Sequence, residues 1–117
     1  MQANKYLLSL MMVCITVPGS AIAANEISVP AEAAAHELAL NNGCFTCHAL
    51  DKKVIGPAWK DVAAKYRSDA GAENRLVKKV SKGGKGVWGN ENAMPPFAPH
   101  MKEADIRTLV KYVLSLK

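Results

Sequence analysis

The chain sets two thiols and an imidazole within five residues, Cys44-Phe45-Thr46-Cys47-His48, and a domain this small must be built around whatever they hold. A zinc site needs four ligands, and beyond this cluster only His36, His100 and carboxylates are left to supply the rest. A dithiol redox motif belongs in a βαβ context with its first Cys opening a helix, whereas here a helical pattern precedes the motif. The following His turns C-x-x-C into C-x-x-C-H, the attachment signature of c-type haem. Two thiols separated by two residues add to the two vinyl groups on one edge of the ring and bring the adjacent imidazole beneath the iron. The motif therefore predicts one haem c per chain, attached through Cys44 and Cys47, with His48 as the proximal iron ligand.

Of 117 residues, the first 23 hold 15 hydrophobic residues and one charged side chain, Lys5. Residues 6–17 are a mostly apolar run of 12, and Pro18-Gly19-Ser20-Ala21-Ile22-Ala23 ends on small residues at the positions a signal peptidase reads. Residues 1–23 are thus read as a secretory signal peptide cut after Ala23, the run being well short of the roughly 20 apolar residues of a membrane span. The third cysteine, Cys14, leaves with it, and its place mid-run after bulky Val13 argues against lipid attachment. No other stretch is apolar enough to span a membrane. Residues 24–117 form one cysteine-poor domain whose fourteen Lys and Arg exceed ten Asp and Glu by +4, with an excess of +6 within residues 51–90. An exported domain of this size is usually reinforced by disulfides, metal or a cofactor.

Helical periodicity dominates the domain. Residues 30–40 read as a helix with Pro30 and Glu32 in the first turn, stopped by Asn41-Asn42-Gly43. Trp59, Val62, Ala63 and Tyr66 have helical spacing. Leu76, Val77 and Val80 share one face of a short helix over residues 73–81, with Lys78 and Lys79 on the other. The last helix, over about residues 102–116, carries Ile106, Leu109, Val110, Val113 and Leu116 as a stripe and lacks an obvious Ser, Thr or Asp cap. Between the last two helices, residues 82–99 hold Gly83, Gly84, Gly86 and Gly89, then Pro95, Pro96 and Pro99. So long a loop in so small a domain points to function. The fold class is all-α: about four helices around one covalently attached haem.

Several blocks, in this order and spacing, resemble the class I c-type cytochromes, and more closely the small bacterial monohaem cytochromes of the five-fifty-one and five-fifty-two type. They are Gly43-Cys44-Phe45-Thr46-Cys47-His48, Val54-Ile55-Gly56-Pro57-Ala58-Trp59-Lys60-Asp61-Val62-Ala63-Ala64-Lys65-Tyr66, Gly86-Val87-Trp88-Gly89, Met94-Pro95-Pro96 and Tyr112-Val113-Leu114-Ser115-Leu116-Lys117. For the sixth iron position the chain after residue 23 offers Met94, Met101, His36 and His100. The resemblance implies Met94, and the residues favour it too: a flexible thioether in a glycine-rich loop, then stiffened by two prolines, is held with little entropy left to lose. The resemblance further implies that the Pro57 carbonyl accepts the His48 ring N–H, that the Trp88 indole meets a haem propionate, and that Leu38 crosses Leu109, Tyr112 or Val113 where the terminal helices meet. Trp59 reads as core and His36 as a surface histidine. The chain departs from the family pattern at Ala93, commonly proline, and at Phe97, commonly an asparagine that influences the methionine's orientation; Asn90 and Asn92 are candidate substitutes.

His/Met ligation fills both axial positions and leaves one-electron transfer as the chemistry, so the expected function is a periplasmic electron carrier and not an enzyme. The alternative, a haem enzyme or gas-binding sensor with an open or labile sixth position, is motivated by Ala93 and Phe97. Lys52, Lys53, Lys60, Lys78, Lys79, Lys82 and Lys85 form an expected positive rim that steers acidic redox partners. By resemblance the donor is a quinol-oxidising cytochrome complex or copper protein, and the acceptor a terminal oxidase or nitrite reductase. A monomer is expected, and no recognition motif points to nucleic acid. Residues 82–86 lack the ending of a phosphate loop. The exported protein should begin at Ala24, which N-terminal sequencing of a periplasmic extract reads directly; an intact residue 1 would overturn the signal-peptide reading.

Overall fold

The computed structural model describes residues 29–89 and 92–117. The segment read as a signal peptide, residues 1–23, and Asn90 lie outside the described residues. Helix α1 (Val29–Asn41) begins one residue before Pro30, whose missing N–H costs nothing in a first turn. It ends as Asn42 turns back: its main-chain N–H and its side-chain amide both donate to the Leu38 carbonyl, at 3.2 and 2.8 Å. Gly43 then takes φ +70°, the left-handed conformation that glycine adopts without a Cβ penalty. Helices α2 (Trp59–Tyr66), α3 (Ala72–Lys82) and α4 (Glu103–Ser115) follow. Among the described residues there is no strand, only two isolated antiparallel pairs, His48 with Lys53 and Gly84 with Met94. The all-α expectation holds.

Helix α4 is the element the others share: it packs against α1, α2 and α3. Ile106 at its centre is fully buried, and Leu109, Val110, Tyr112 and Val113 join it in a core completed by Trp59, Val62, Val77 and Met101. Helix α4 is one residue shorter at each end than the expected 102–116, and Lys102 indeed supplies no side-chain cap. The Lys102 carbonyl instead accepts from the Asp105 and Ile106 N–H groups at 3.0 and 3.1 Å. Glu103 and Asp105 sit in the first turn, where the helix dipole favours negative charge. Arg107 ties α4 to α3 at the surface, donating to Glu73 at 2.7 Å and Asn74 at 3.0 Å while also bonding Glu103 at 2.9 Å.

At the crossing of the terminal helices, Leu38 packs against the core that holds Leu109, Tyr112 and Val113, as expected, and two alanines lie deeper. Ala35 and Ala39, one turn apart on the same face of α1, are the residues buried in full, and Leu38 is only half-buried beside them. Methyl groups there let the two helices approach closely, since interaxial distance follows side-chain size at the contact. Ala39→Leu should therefore destabilise the protein by about 1–3 kcal/mol through overpacking, whereas the same change at exposed Ala33 should stay within about 0.5 kcal/mol. Urea unfolding midpoints of the two variants decide this.

Candidate haem site

The C-x-x-C-H segment folds as one tight helical turn. Cys44–Thr46 is a short 3₁₀ helix entered from Gly43, and the Cys44 carbonyl accepts from both the Cys47 N–H (3.2 Å) and the His48 N–H (3.0 Å). Three- and four-residue spacings on a helical turn share a face, which is why the two thiols and the imidazole all line the same cavity. Neither Cys44 nor Cys47 is in a disulfide, so both sulfurs are available for attachment. Burial pushes the Cys44 thiol up; a hydrogen bond with its own backbone opposes this, and the neighbouring Cys47 adds to the rise.

Beyond His48 the chain doubles back. The Gly56 N–H donates to the Cys47 carbonyl at 2.7 Å, and His48 Nδ1 lies 2.7 Å from the Pro57 carbonyl oxygen. A carbonyl only accepts, so Nδ1 carries the proton and Nε2 of the neutral ring keeps its lone pair. Gly56 is required by contact: a Cβ on it would stand 2.4 Å from His48 Cε1. The same return opens α2, whose first N–H groups have no side-chain cap. The Ala49 and Leu50 carbonyls accept from the Trp59 and Lys60 N–H groups instead, both at 2.9 Å. The Trp59 ring, 6.0 Å from the His48 ring and 4.9 Å from Phe45, backs the imidazole as part of the core. His36 is half-buried rather than a plain surface residue, its ring 5.1 Å from that of Phe45.

Met94 reaches the same cavity from the long loop. Its main chain pairs with Gly84 in both directions, Gly84 N–H to Met94 O at 2.8 Å and Met94 N–H to Gly84 O at 3.2 Å. The residues that follow are fastened to the end of α3, with Phe97 N–H donating to the Val80 carbonyl and Ala98 N–H to that of Ser81, both at 3.1 Å. Gly83, at φ +65° and ψ −151°, occupies a region nearly restricted to glycine. A Cβ there would stand 2.3 Å from Met94 O and under 3 Å from main-chain atoms of Pro95 and Pro96. The sequence analysis read Gly83 only as part of a glycine-rich loop, yet it serves close approach, as does Gly56 before α2.

The cavity has a volume of about 400 Å³, within the range of small-molecule sites. Cys44, Cys47, His48, Pro57, Trp88 and Met94 all line it; His36, His100 and Met101 do not, and Met101 is buried in the core. Leu76 and Val80 line it too, so the apolar face of α3 divides between core and cavity. Phe97 adds a further apolar wall beside the loop methionine. Arg75, Lys78, Lys79 and Lys85 are the charged residues of the described lining, with no carboxylate among them. Lys79 Nζ donates to the Lys85 carbonyl at 2.7 Å, closing the loop on α3. Of the expected rim, Lys52, Lys53, Lys60 and Lys82 are exposed outside the lining. Two free thiols, one imidazole with a free lone pair and one thioether, set in apolar walls edged by cations, fit a flat apolar ring with an iron centre and two carboxylates.

The sequence profile of the family described as Cytochrome c matches residues 32–117. The chain is 53% identical to cytochrome c-551 of Allochromatium vinosum over 79 residues, 68% of this chain and 82% of that one. It is 52% identical to cytochrome c-551 of Pseudomonas aeruginosa over 77 residues, 66% of this chain and 71% of that one. The crystal structure of wild-type cytochrome c552 from Nitrosomonas europaea superposes with a TM-score of 0.65 at 41% identity, covering 70% of this chain and 99% of that one. Identities of this size over two thirds of the chain, together with the shared fold, place it in the cytochrome c family, as a small c-type electron carrier with one covalently attached haem c per chain and with Cys44 and Cys47 in the spacing of the attachment motif.

Proposed function

We propose that the protein is exported, loses residues 1–23, and works as a periplasmic monohaem carrier whose iron is held by His48 and Met94. The observation that carries this reading is that one apolar cavity is lined both by the turn from Cys44 to His48 and by Met94, whose main chain is locked to Gly84. Haem c held there supplies reversible one-electron chemistry between ferric and ferrous iron. His48, with Nδ1 committed to Pro57, presents Nε2 as a ligand in a fixed orientation. The Met94 thioether is a soft donor that favours the ferrous state and raises the potential. Were His48 and Met94 both to ligate the iron, the protein's own side chains would leave no coordination position for oxygen, peroxide or a substrate, which favours a carrier over an enzyme. Trp88 offers an indole N–H donor for a propionate, in a lining whose charged residues are all cations.

Partner contact is assigned to the cavity mouth. Ile55 and Val87, 46% and 69% exposed, line it beside Lys78, Lys79 and Lys85, so an apolar contact sits among positive charges that speed encounter with an acidic surface. A quinol-oxidising cytochrome complex or copper protein as donor, and a terminal oxidase or nitrite reductase as acceptor, are the partner classes proposed.

Protein exported by a host with haem-attachment machinery should show a low-spin c-type spectrum with the weak far-red band of iron–methionine ligation. A high-spin spectrum, or rapid carbon monoxide binding by the ferrous protein at neutral pH, would overturn Met94 as the resting ligand and favour the enzyme or sensor reading. Met94→Ala should keep the haem covalently bound while abolishing the far-red band. Gly83→Ala should cost roughly 1–3 kcal/mol from its backbone conformation alone and weaken the same band without loss of attached haem; a wild-type band and wild-type urea stability in that variant would contradict the role given to Gly83.

A further inference from the structure

Trp88 is held differently from the rest of the cavity wall. Gly84 and Met94 are fixed by paired main-chain bonds, and Lys85 receives Lys79. Among the described residues, however, 86–89 make no backbone hydrogen bond. Trp88 is half-buried, lines the cavity and lies against the core. Gly86 leaves room beside it, since a Cβ there would sit 3.3 Å from Trp88 Cδ1. The charged contact on its ring comes from α2, where the ammonium of Lys65 stands 5.4 Å from the ring centroid. Lys65 is exposed and does not itself line the cavity, although the next residue, Tyr66, does.

We infer that Lys65 is a positioning residue: its ammonium, stacked on the indole, holds Trp88 against the haem cavity. Helix α2 is suited to this role because its first turn is anchored to the motif loop and its last turn reaches Trp88. Its first N–H groups are bonded to the carbonyls of Ala49 and Leu50, directly after His48, and its last turn carries Lys65. The helix thus joins the turn bearing His48 to the loop bearing Trp88. A cation over the ring face is attracted by the indole quadrupole, an effect largest for Trp. It acts on a segment that shows no main-chain hydrogen bond to the other described residues. A Lys or Arg can supply this contact, whereas an apolar chain of equal length can supply only the stem packing. The inference deepens the proposed role of Trp88 at the cofactor and rests on that reading.

The test is indole N–H hydrogen exchange, measured by NMR on the ferrous holoprotein, with the two tryptophans distinguished by Trp88→Phe. Lys65→Met should speed exchange at Trp88 by about two- to fivefold, the factor expected of an exposed cation–π contact. Trp59, buried in the core, should be unchanged, and Lys65→Arg should restore the Trp88 rate. Unchanged Trp88 exchange in Lys65→Met would overturn the inference. So would equal acceleration of both indoles, which is the mark of general destabilisation, or failure of arginine to rescue. The far-red band, recorded on the same samples, reports iron ligation separately, so a failure of Lys65 and a failure of the His48/Met94 reading are distinguishable.

Discussion

The hydrogen bond between His48 Nδ1 and the Pro57 carbonyl governs more of this molecule than its 2.7 Å suggests. To place that carbonyl under the ring, the chain must reverse within nine residues of the motif. The reversal requires Gly56 at a point where no side chain fits. It also delivers Trp59 and Val62 into the core against α4, so the orientation of the imidazole and the seat of α2 are set together. The bond fixes the tautomer as well: a proton on Nδ1 leaves a base on Nε2, and a metal ligand needs that base.

Met94 is positioned by another kind of constraint. It stands 46 residues from His48 in the sequence, and no helix carries it. Its main chain is tied to Gly84, and the chain after it to Val80 and Ser81, so the loop is fastened along the end of α3. Gly83 makes this possible by accepting a backbone conformation and a proximity that a Cβ would forbid. Two supports of different origin thus converge on one cavity: a short-range turn for the imidazole, and a long-range clamp for the thioether.

Much of this was legible in the sequence, and the parts that were not share a cause. The motif named the cofactor, and the apolar stripe of α4 named the helix around which the core gathers. The four helices were found to within a residue or two at each end. At the terminal crossing Leu38 does pack on the core that holds Leu109, Tyr112 and Val113, but the deeper burial of Ala35 and Ala39 was not read, because it depends on how closely two axes approach. The half-burial of His36 was missed because it depends on Phe45, which follows the α1 stop. Gly56 and Gly83 were passed over because a glycine's reason is the atom it lets in, and sequence does not show which atom that is. The cap of α2 was invisible for the same reason, being supplied by main-chain carbonyls common to every residue type.

That cap carries a kinetic consequence. A helix started by a Ser or Asp side chain can form early and alone, and is lost when that one residue changes. Helix α2, with eight residues and its leading donors satisfied by the Ala49 and Leu50 carbonyls, has little reason to persist before the motif loop has closed over it. The bonds themselves depend on the path of the main chain and not on the side chains of residues 49 and 50, although Leu50 also packs against the core. The cofactor loop and its supporting helix are therefore expected to form as one cooperative unit, joined through main-chain groups.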